Sequence, residues 1–367
     1  MFDNNITTKK RLDPDTIRYI LIRATNWVGD AILTTPAIRA IRKNFPHSEI
    51  TMLAKPWVVP VFEKNPHVDH IMIYDSNDRH KGWRGKWRLI QEIKKRNFDL
   101  AVLFQNAVEA AMVALLSHIP LRLGYSTDGR GLFLTHSVPV RRHAKFKNIH
   151  EIDYYLDILT PFGLTPDGKG LTLKINESNH RTADALLAKY GISKRDQIVG
   201  INPGATYGSA KRWFPERYAA LADKIQEYYG AHILVFGSLG EKEIGQKVTA
   251  LIKKPAVNLC GRTTLGEAMA LIDKCHLFIT NDSGLMHVAA ALGIPLVAIF
   301  GPTNPQTTGP IGPKSRIVRV PVSCSPCLQT ECPADHRCMQ DIQVDTVFEM
   351  VKALQSLSEK RYEDTYC

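Results

Sequence analysis

Short apolar runs of strand length alternate with segments of helical period, and the alternation occurs twice. In the first half YILIRA (19–24), EITMLA, HIMIYD and DLAVLF read as strands. PAIRAIRKNF (36–45), PWVVPVFEKN, WRLIQEIKKRNF and AVEAAMVALLSHI read as helices, the second of them short. This βαβα order implies a parallel sheet with helices on both faces. The rhythm restarts at QIVGINPG (197–204) and runs through HILVFGS, AVNLCG, LFITND and PLVAIFG as strands. Between them PERYAALADKIQEYYG, EKEIGQKVTALIKK, TLGEAMALIDKC and GLMHVAAALG read as helices, with Pro215 in a first turn. The pattern predicts an α/β protein of two doubly wound, Rossmann-like domains.

A chain of 367 residues is too long for one ordinary core and suits two domains of about 150–200 residues each. The Gly-, Pro- and polar-rich stretch 161–180 marks the boundary. The expected division is 1–175, 176–344 and a final segment 345–367. The helix VDTVFEMVKALQSL near the end has two candidate supports, and one of them is the first domain.

The polar N-terminus MFDNNITTKKRLD lacks the apolar core of a signal peptide. No run of about 18 apolar residues predicts a membrane span. Seven cysteines without an export signal point to the reducing cytosol. The net charge is +11, and residues 1–180 carry 26 Lys and Arg against 18 Asp and Glu. A basic first half points to an anionic partner, against the alternative of a solvated basic surface.

In open α/β sheets, ligands bind outside the carboxyl ends of the strands, so the strand exits are the places to look. The first is TNWVGD, where Gly29 permits a sharp turn and Asp30 stands at a helix start. Asp30 there is either an N-cap or a general base. The second, INPGATYGSAKRW, offers Thr206 and Ser209 hydroxyls beside Lys211 and Arg212. Gly204 and Gly208 allow close backbone approach, so the loop reads as a phosphate cradle or as a flexible polar loop. The P-loop spacing is missing. The third, FGSLGEKE, places Glu241 as a ribose acceptor or as a cap. In the fourth, ITNDSGLMHVAAALG, Asp282 and Ser283 precede a helix, Gly284 sits in its first turn and His287 one turn inside. Small residues at a helix N-terminus suit an anion. The fifth, FGPTNPQTTGPIGP, is a rigid pocket wall or a plain connection. A diphosphate side and a facing carboxylate suit group transfer from a nucleotide-diphosphate donor.

Three of these stretches are long enough to carry a resemblance. TNDSGLMHVAAALGIPLVAIFGPTNP, NWVGDAILTTPAIRAIR and NPGATYGSAKRWFPERYAAL resemble the ADP-heptose:lipopolysaccharide heptosyltransferases at matching order and spacing. The NWVGD form is most similar to the heptosyltransferase II branch, and Thr25 stands where that branch carries proline. The resemblance spans roughly residues 18–355. It implies a GT-B fold with its two domains facing across a cleft. It implies inversion at the anomeric carbon without a cofactor or a required metal. The donor it implies is ADP-heptose, and the acceptor is the heptosyl-Kdo2-lipid A inner core of lipopolysaccharide. Asp30 becomes the base, and Thr206, Ser209 and Lys211 become diphosphate contacts, with Lys211 also stabilising the leaving ADP. Glu241 becomes a ribose contact, and Asp282, Ser283, Gly284 and His287 surround heptose and phosphates.

The phosphorylated lipid acceptor gives the basic half a reason. RHKGWRGKWR (79–88) interleaves Arg and Lys with Trp83 and Trp87 as interfacial segments do. Arg84, Arg122, Arg130 and Arg142, with Arg141 and Lys145, are candidate acceptor contacts. The expected location is the cytoplasm, with peripheral contact at the inner face of the cytoplasmic membrane. CSPCLQTECPADHRC brings Cys324, Cys327, Cys332 and Cys338 near His336. Four free thiols are the expectation, and a structural metal is the alternative. The competing readings are a heptosyltransferase of another inner-core position, another nucleotide-sugar transferase or epimerase on the same fold, and a binding protein without turnover. Nucleic acid is not an expected partner, because no recognised nucleic-acid motif accompanies the basic residues.

Overall fold

Strands flanked by helices on both faces are continuously apolar, and the first-half runs become such strands. A computed structural model describes residues 11–139 and 149–363, with 355–363 by backbone alone. The chain divides into two units, Met1–Lys174 and Ile175–Cys367. In the first, β1 (Tyr19–Arg23), β2 (Glu49–Ala54), β3 (His70–Ile73), β4 (Leu100–Leu103), β5 (Leu121–Tyr125) and β6 (His136–Val138) form one sheet. Its order is β3-β2-β1-β4-β5-β6, and every pairing is parallel. Ile20, Leu21 and Ile22 of β1 are buried, as is all of β4. Around the sheet lie α1 (Val28–Leu33), α2 (Thr35–Asn44), α3 (Gly82–Lys94), α4 (Val108–Leu116) and α5 (Glu151–Leu156).

The second unit repeats the plan. Its strands are β7 (Ile198–Asn202), β8 (His232–Val235), β9 (Ala256–Asn258), β10 (Leu277–Asn281), β11 (Leu296–Ile299) and β12 (Ser315–Val318). Read from β9, the order is β9-β8-β7-β10-β11-β12, the Rossmann order of the first unit. Helices α6 (Glu177–Lys189), α7 (Pro215–Tyr229), α8 (Lys242–Leu251), α9 (Leu265–Asp273) and α10 (Gly284–Ala291) cover it. The last helix, α11 (Val344–Glu363), inserts Val347, Val351 and Leu354 into the core built by Trp213, Tyr218 and Ile225. Its described side chains therefore pack in the second unit, the other of the two supports that the sequence leaves open.

In each sheet the strand order reverses beside the first strand, so β1 flanked by β4 and β7 flanked by β10 are the switch points. PWVVPVFEKN turns out to be a 3-10 helix, Pro56–Val61, because Pro60 sits inside it and removes a backbone donor. Among the described residues no helix is long and apolar enough to cross a membrane.

Candidate functional site

At the first switch point the chain leaves β1 through Ala24–Trp27. Arg23 donates to Ala24 O at 2.5 Å and to Asn26 Oδ1 at 2.9 Å, and Trp57 Nε1 donates to Asn26 O at 2.8 Å. Those bonds fix the bend. Thr25 is buried with no hydrogen-bond partner for its hydroxyl among the described residues. Trp27, not Asp30, occupies the N-cap position of α1, with no side-chain cap bond. Asp30 lies inside the first turn, half-buried. The plain N-cap reading of Asp30 is thereby corrected.

Glu151 and Tyr155 of α5 stand in the electrostatic field of Asp30. Burial pushes the Glu151 carboxyl up to about 7, and the Asp30 charge adds to the shift. Burial, with Asp30 next, also pushes the Tyr155 phenol far above its ordinary range. The sequence reading missed both, since EIDYYL carries only the signal of a short helix.

Two expected acceptor contacts prove to be internal. Arg130 is fully buried and donates to Tyr125 O at 2.6 Å, to Asn106 Oδ1 at 2.8 Å and to Gln105 O. Arg122 donates to Phe133 O at 2.7 Å and Ile119 O at 2.5 Å. Backbone carbonyls and the Asn106 amide oxygen take up the Arg130 donors, and backbone carbonyls take up Nε and Nη1 of Arg122, so in this structure both side chains brace their own loops. Arg142, with Arg141 and Lys145, lies outside the described residues. Arg84 is exposed on α3, its guanidinium 5.2 Å from the Trp83 ring centre.

At the second switch point two asparagines join the exits of β7 and β10. Asn202 Nδ2 donates to Ser283 Oγ at 2.8 Å. Asn281 Nδ2 donates to Pro203 O at 2.8 Å, while its Oδ1 accepts from Trp213 N at 3.1 Å and Tyr218 OH at 2.9 Å. Lys211 Nζ and Asp282 Oδ2 form an ion pair at 2.6 Å, with 13% and 6% of the two side chains exposed. This network brings Lys211, Asp282 and Ser283 together and leaves Thr206 and Ser209 exposed on the same loop. Ser283 holds the N-cap position of α10 without a side-chain cap bond, and Gly284 follows as the first helical residue. His287 is buried one turn on. Asn202 and Asn281 lie at the second and fourth strand exits, but their amides carry neither the hydroxyl nor the charge that marks their neighbours in sequence.

Glu241 is buried and forms a capping box with Ser238, its Oε2 accepting from Ser238 N at 2.7 Å and Oγ at 2.8 Å. A Cβ on Gly204 would stand 2.1 Å from Glu241 Oε1, so the β7 exit and this carboxylate meet directly. The cysteine-bearing segment 324–338 supports the same loop. Ala210 N donates to Thr330 O at 3.0 Å, and His336 Nε2 lies 2.7 Å from Ala210 O. Cys324, Cys327, Cys332 and Cys338 are free thiols. Among the described residues no group of three or more His, Cys, Asp and Glu is arranged to hold a metal ion.

A Cβ on Gly208 would come within 2.1 Å of Thr330 O, backbone that does not swing aside. Gly208→Ala is therefore expected to lower the second unit's stability by about 1–3 kcal/mol. Denaturant titration measures it, and an unchanged midpoint would show that the loop gives way freely.

Two Rossmann-ordered units, one carrying a Lys- and hydroxyl-bearing loop at its switch point, are the architecture of an α/β enzyme of the GT-B type. The chain is similar to the Escherichia coli ADP-heptose LPS heptosyltransferase II structure (TM-score 0.79, 27% identity, 93% of this chain and 99% of that one). It is similar also to a family 9 glycosyl transferase from Veillonella parvula (TM-score 0.83, 27% identity, 94% and 98%). Lipooligosaccharide heptosyltransferase 2 of Campylobacter jejuni is 30% identical over 91% of this chain and 98% of its own. Residues 86–337 match glycosyltransferase family 9 (heptosyltransferase), and the chain belongs to that family.

Proposed function

We propose that this glycosyltransferase moves L-glycero-D-manno-heptose from ADP-heptose to the heptosyl-Kdo2-lipid A inner core of lipopolysaccharide, with inversion. The observation that carries the reading is the Lys211–Asp282 pair at the second unit's switch point, in a chain similar over most of its length to heptosyltransferases II. A partly buried cation at that position meets a diphosphate, and a helix start with small residues lies next to it.

Asp30 accepts the proton of the attacking acceptor hydroxyl. The hydroxyl oxygen bonds to the anomeric carbon as the bond from that carbon to the ADP oxygen breaks. Lys211 stabilises the charge that develops on the departing diphosphate, with Thr206 and Ser209 as hydroxyl donors. Asp282 orients Lys211 and, with Ser283, Gly284 and His287, surrounds the sugar and phosphates. Glu241 fixes the β7 exit and presents its carboxylate to the ribose. The enzyme works at the inner face of the cytoplasmic membrane, held there peripherally by α3. What supports that placement is Trp83 and Trp87, 76% and 55% exposed and one turn apart, with Arg84 and Arg88 beside them.

Incubation with ADP-heptose and heptosyl-Kdo2-lipid A, read by mass spectrometry, is expected to add one heptose to the acceptor. A mass gain from UDP or GDP sugars alone overturns the donor assignment. Flotation with anionic vesicles tests the membrane placement, and an Arg84/Lys86/Arg88→Ala variant that floats unchanged removes it.

A further inference from the structure

One cavity in the first unit is not used by the transfer chemistry. It opens at the carboxyl ends of β1, β2 and β4 over an apolar floor that includes Leu21, Leu53 and Leu103. Its volume is about 70 Å³. At 10–15 Å³ or so per water this is room for roughly five waters, or for one tetrahedral or planar oxyanion with its first attached atoms.

The wall is cationic. Arg23 and Lys55 line it, and both are buried, 5% and 6% exposed. Arg23 already serves the Ala24–Asn26 bend. Lys55 is different. Its ammonium lies 3.6 Å from the Tyr74 ring centre and 5.9 Å from that of Trp57. Among the described residues it has no carboxylate within 4.0 Å and no hydrogen-bond acceptor. Burying a charge is costly unless an opposite charge or hydrogen bonds compensate, and a ring face compensates only in part.

The neighbouring acids do not fill the gap. Glu109 of α4 accepts from the Tyr74 hydroxyl and pairs with Lys86 of α3 at 3.3 Å. Asp75, just after β3, accepts the backbone N–H groups of Asn77 and Asp78. Three cations (Arg23, Lys55 and Lys86) thus face two carboxylates (Glu109 and Asp75), which leaves one positive charge uncancelled around the cavity.

We infer that this cavity is an oxyanion site, in which Lys55 and Arg23 take one carboxylate or phosphate group, either as a free ion or presented on the acidic acceptor saccharide. The saccharide as source rests on the proposed transferase activity; the anion site does not. Tyr74 and Glu109 close one side, and Asn26 and Gln105 offer polar edges for the rest of the ligand.

Calorimetric titration of the full chain with inorganic phosphate tests it. The wild type is expected to show a class of sites that Lys55→Met weakens about tenfold or more and Lys55→Arg restores. Phosphate taken up elsewhere is unaffected by either change, and circular dichroism checks that both variants fold. Burial, with Arg23 next to it, lowers Lys55 to about 8, and an ammonium attracts an anion only while protonated. Sulfate keeps its charge across the range, so its binding is expected to fall between about pH 6.5 and about pH 9.5. Over that interval burial holds Tyr74 protonated and leaves Arg23 charged, since it lowers Arg23 only to about 10. Equal phosphate isotherms for wild type and Lys55→Met overturn the site. If the acceptor KM also rises about tenfold in Lys55→Met at unchanged donor KM, the saccharide supplies the anion. If phosphate binding is lost at unchanged acceptor KM, a free ion does. A wild-type chain that binds phosphate at this site but transfers no heptose overturns the transferase reading alone.

Discussion

Asp30→Asn is expected to lower turnover by about 10²- to 10⁴-fold, the range over which a positioned base contributes. The substitution keeps the size and shape of the side chain and removes its basicity. It also leaves the local structure standing, because Trp27 rather than Asp30 holds the cap position of α1 and makes no side-chain cap bond. What α1 loses is a negative charge in its first turn, worth about 0.3–1 kcal/mol. Donor affinity is expected to stay within about twofold, since the proposed diphosphate contacts Thr206, Ser209 and Lys211 belong to the other unit. Steady-state ADP release measures the rate, and calorimetry with ADP measures the affinity. Near-normal turnover in Asp30→Asn would remove Asp30 from the role of base. Lost ADP affinity at normal turnover per bound enzyme would instead make it a donor contact.

The sheets were legible because strands buried on both faces must be continuously apolar, and runs such as YILI and LFIT have few other ways to fold. The exits were legible for a related reason: a strand that ends against a helix start leaves small and polar residues at a fixed place. Arg130 and Arg122 escaped because a guanidinium that binds a phosphate and one that binds three carbonyls look alike in sequence. The difference lies in where the 3-10 turn Thr127–Phe133 carries Arg130, beside Tyr125 O, Gln105 O and Asn106 Oδ1, and that is set by tertiary structure. The cysteine-rich segment reads in sequence as four free thiols, with a structural metal as the alternative, and neither reading shows that it contacts the β7 exit loop through Thr330 and His336. Lys55 carried no motif at all. Its isolation emerges only once Tyr74 and Glu109 are seen to satisfy each other.

Glu151→Gln is expected to stabilise the first unit by about 1–3 kcal/mol at pH 8 or so, with a much smaller gain near pH 5. The Glu151 carboxyl is pushed up to about 7 in the folded chain, against 4.5 for an unperturbed glutamate. Burial is the main cause, and the Asp30 charge is the second. Between those two values the folded state holds a proton that the unfolded state has released. Stability therefore falls as pH rises from about 4.5 to about 7, and above that this group contributes no further change. Glutamine has no charge to desolvate, so the variant lacks this fall. The same substitution bears on Asp30. Once Glu151 ionises, its charge raises the proton affinity of the neighbouring carboxylate and makes it a stronger base. The wild-type rate is expected to step upward through pH 7 or so, and the glutamine variant to lack that step. Denaturant titrations at about pH 5 and about pH 8 read the first effect, and pH–rate profiles the second. Parallel stability curves for wild type and variant over that interval would mean that Glu151 is ionised throughout. The step in rate would then have to come from another group.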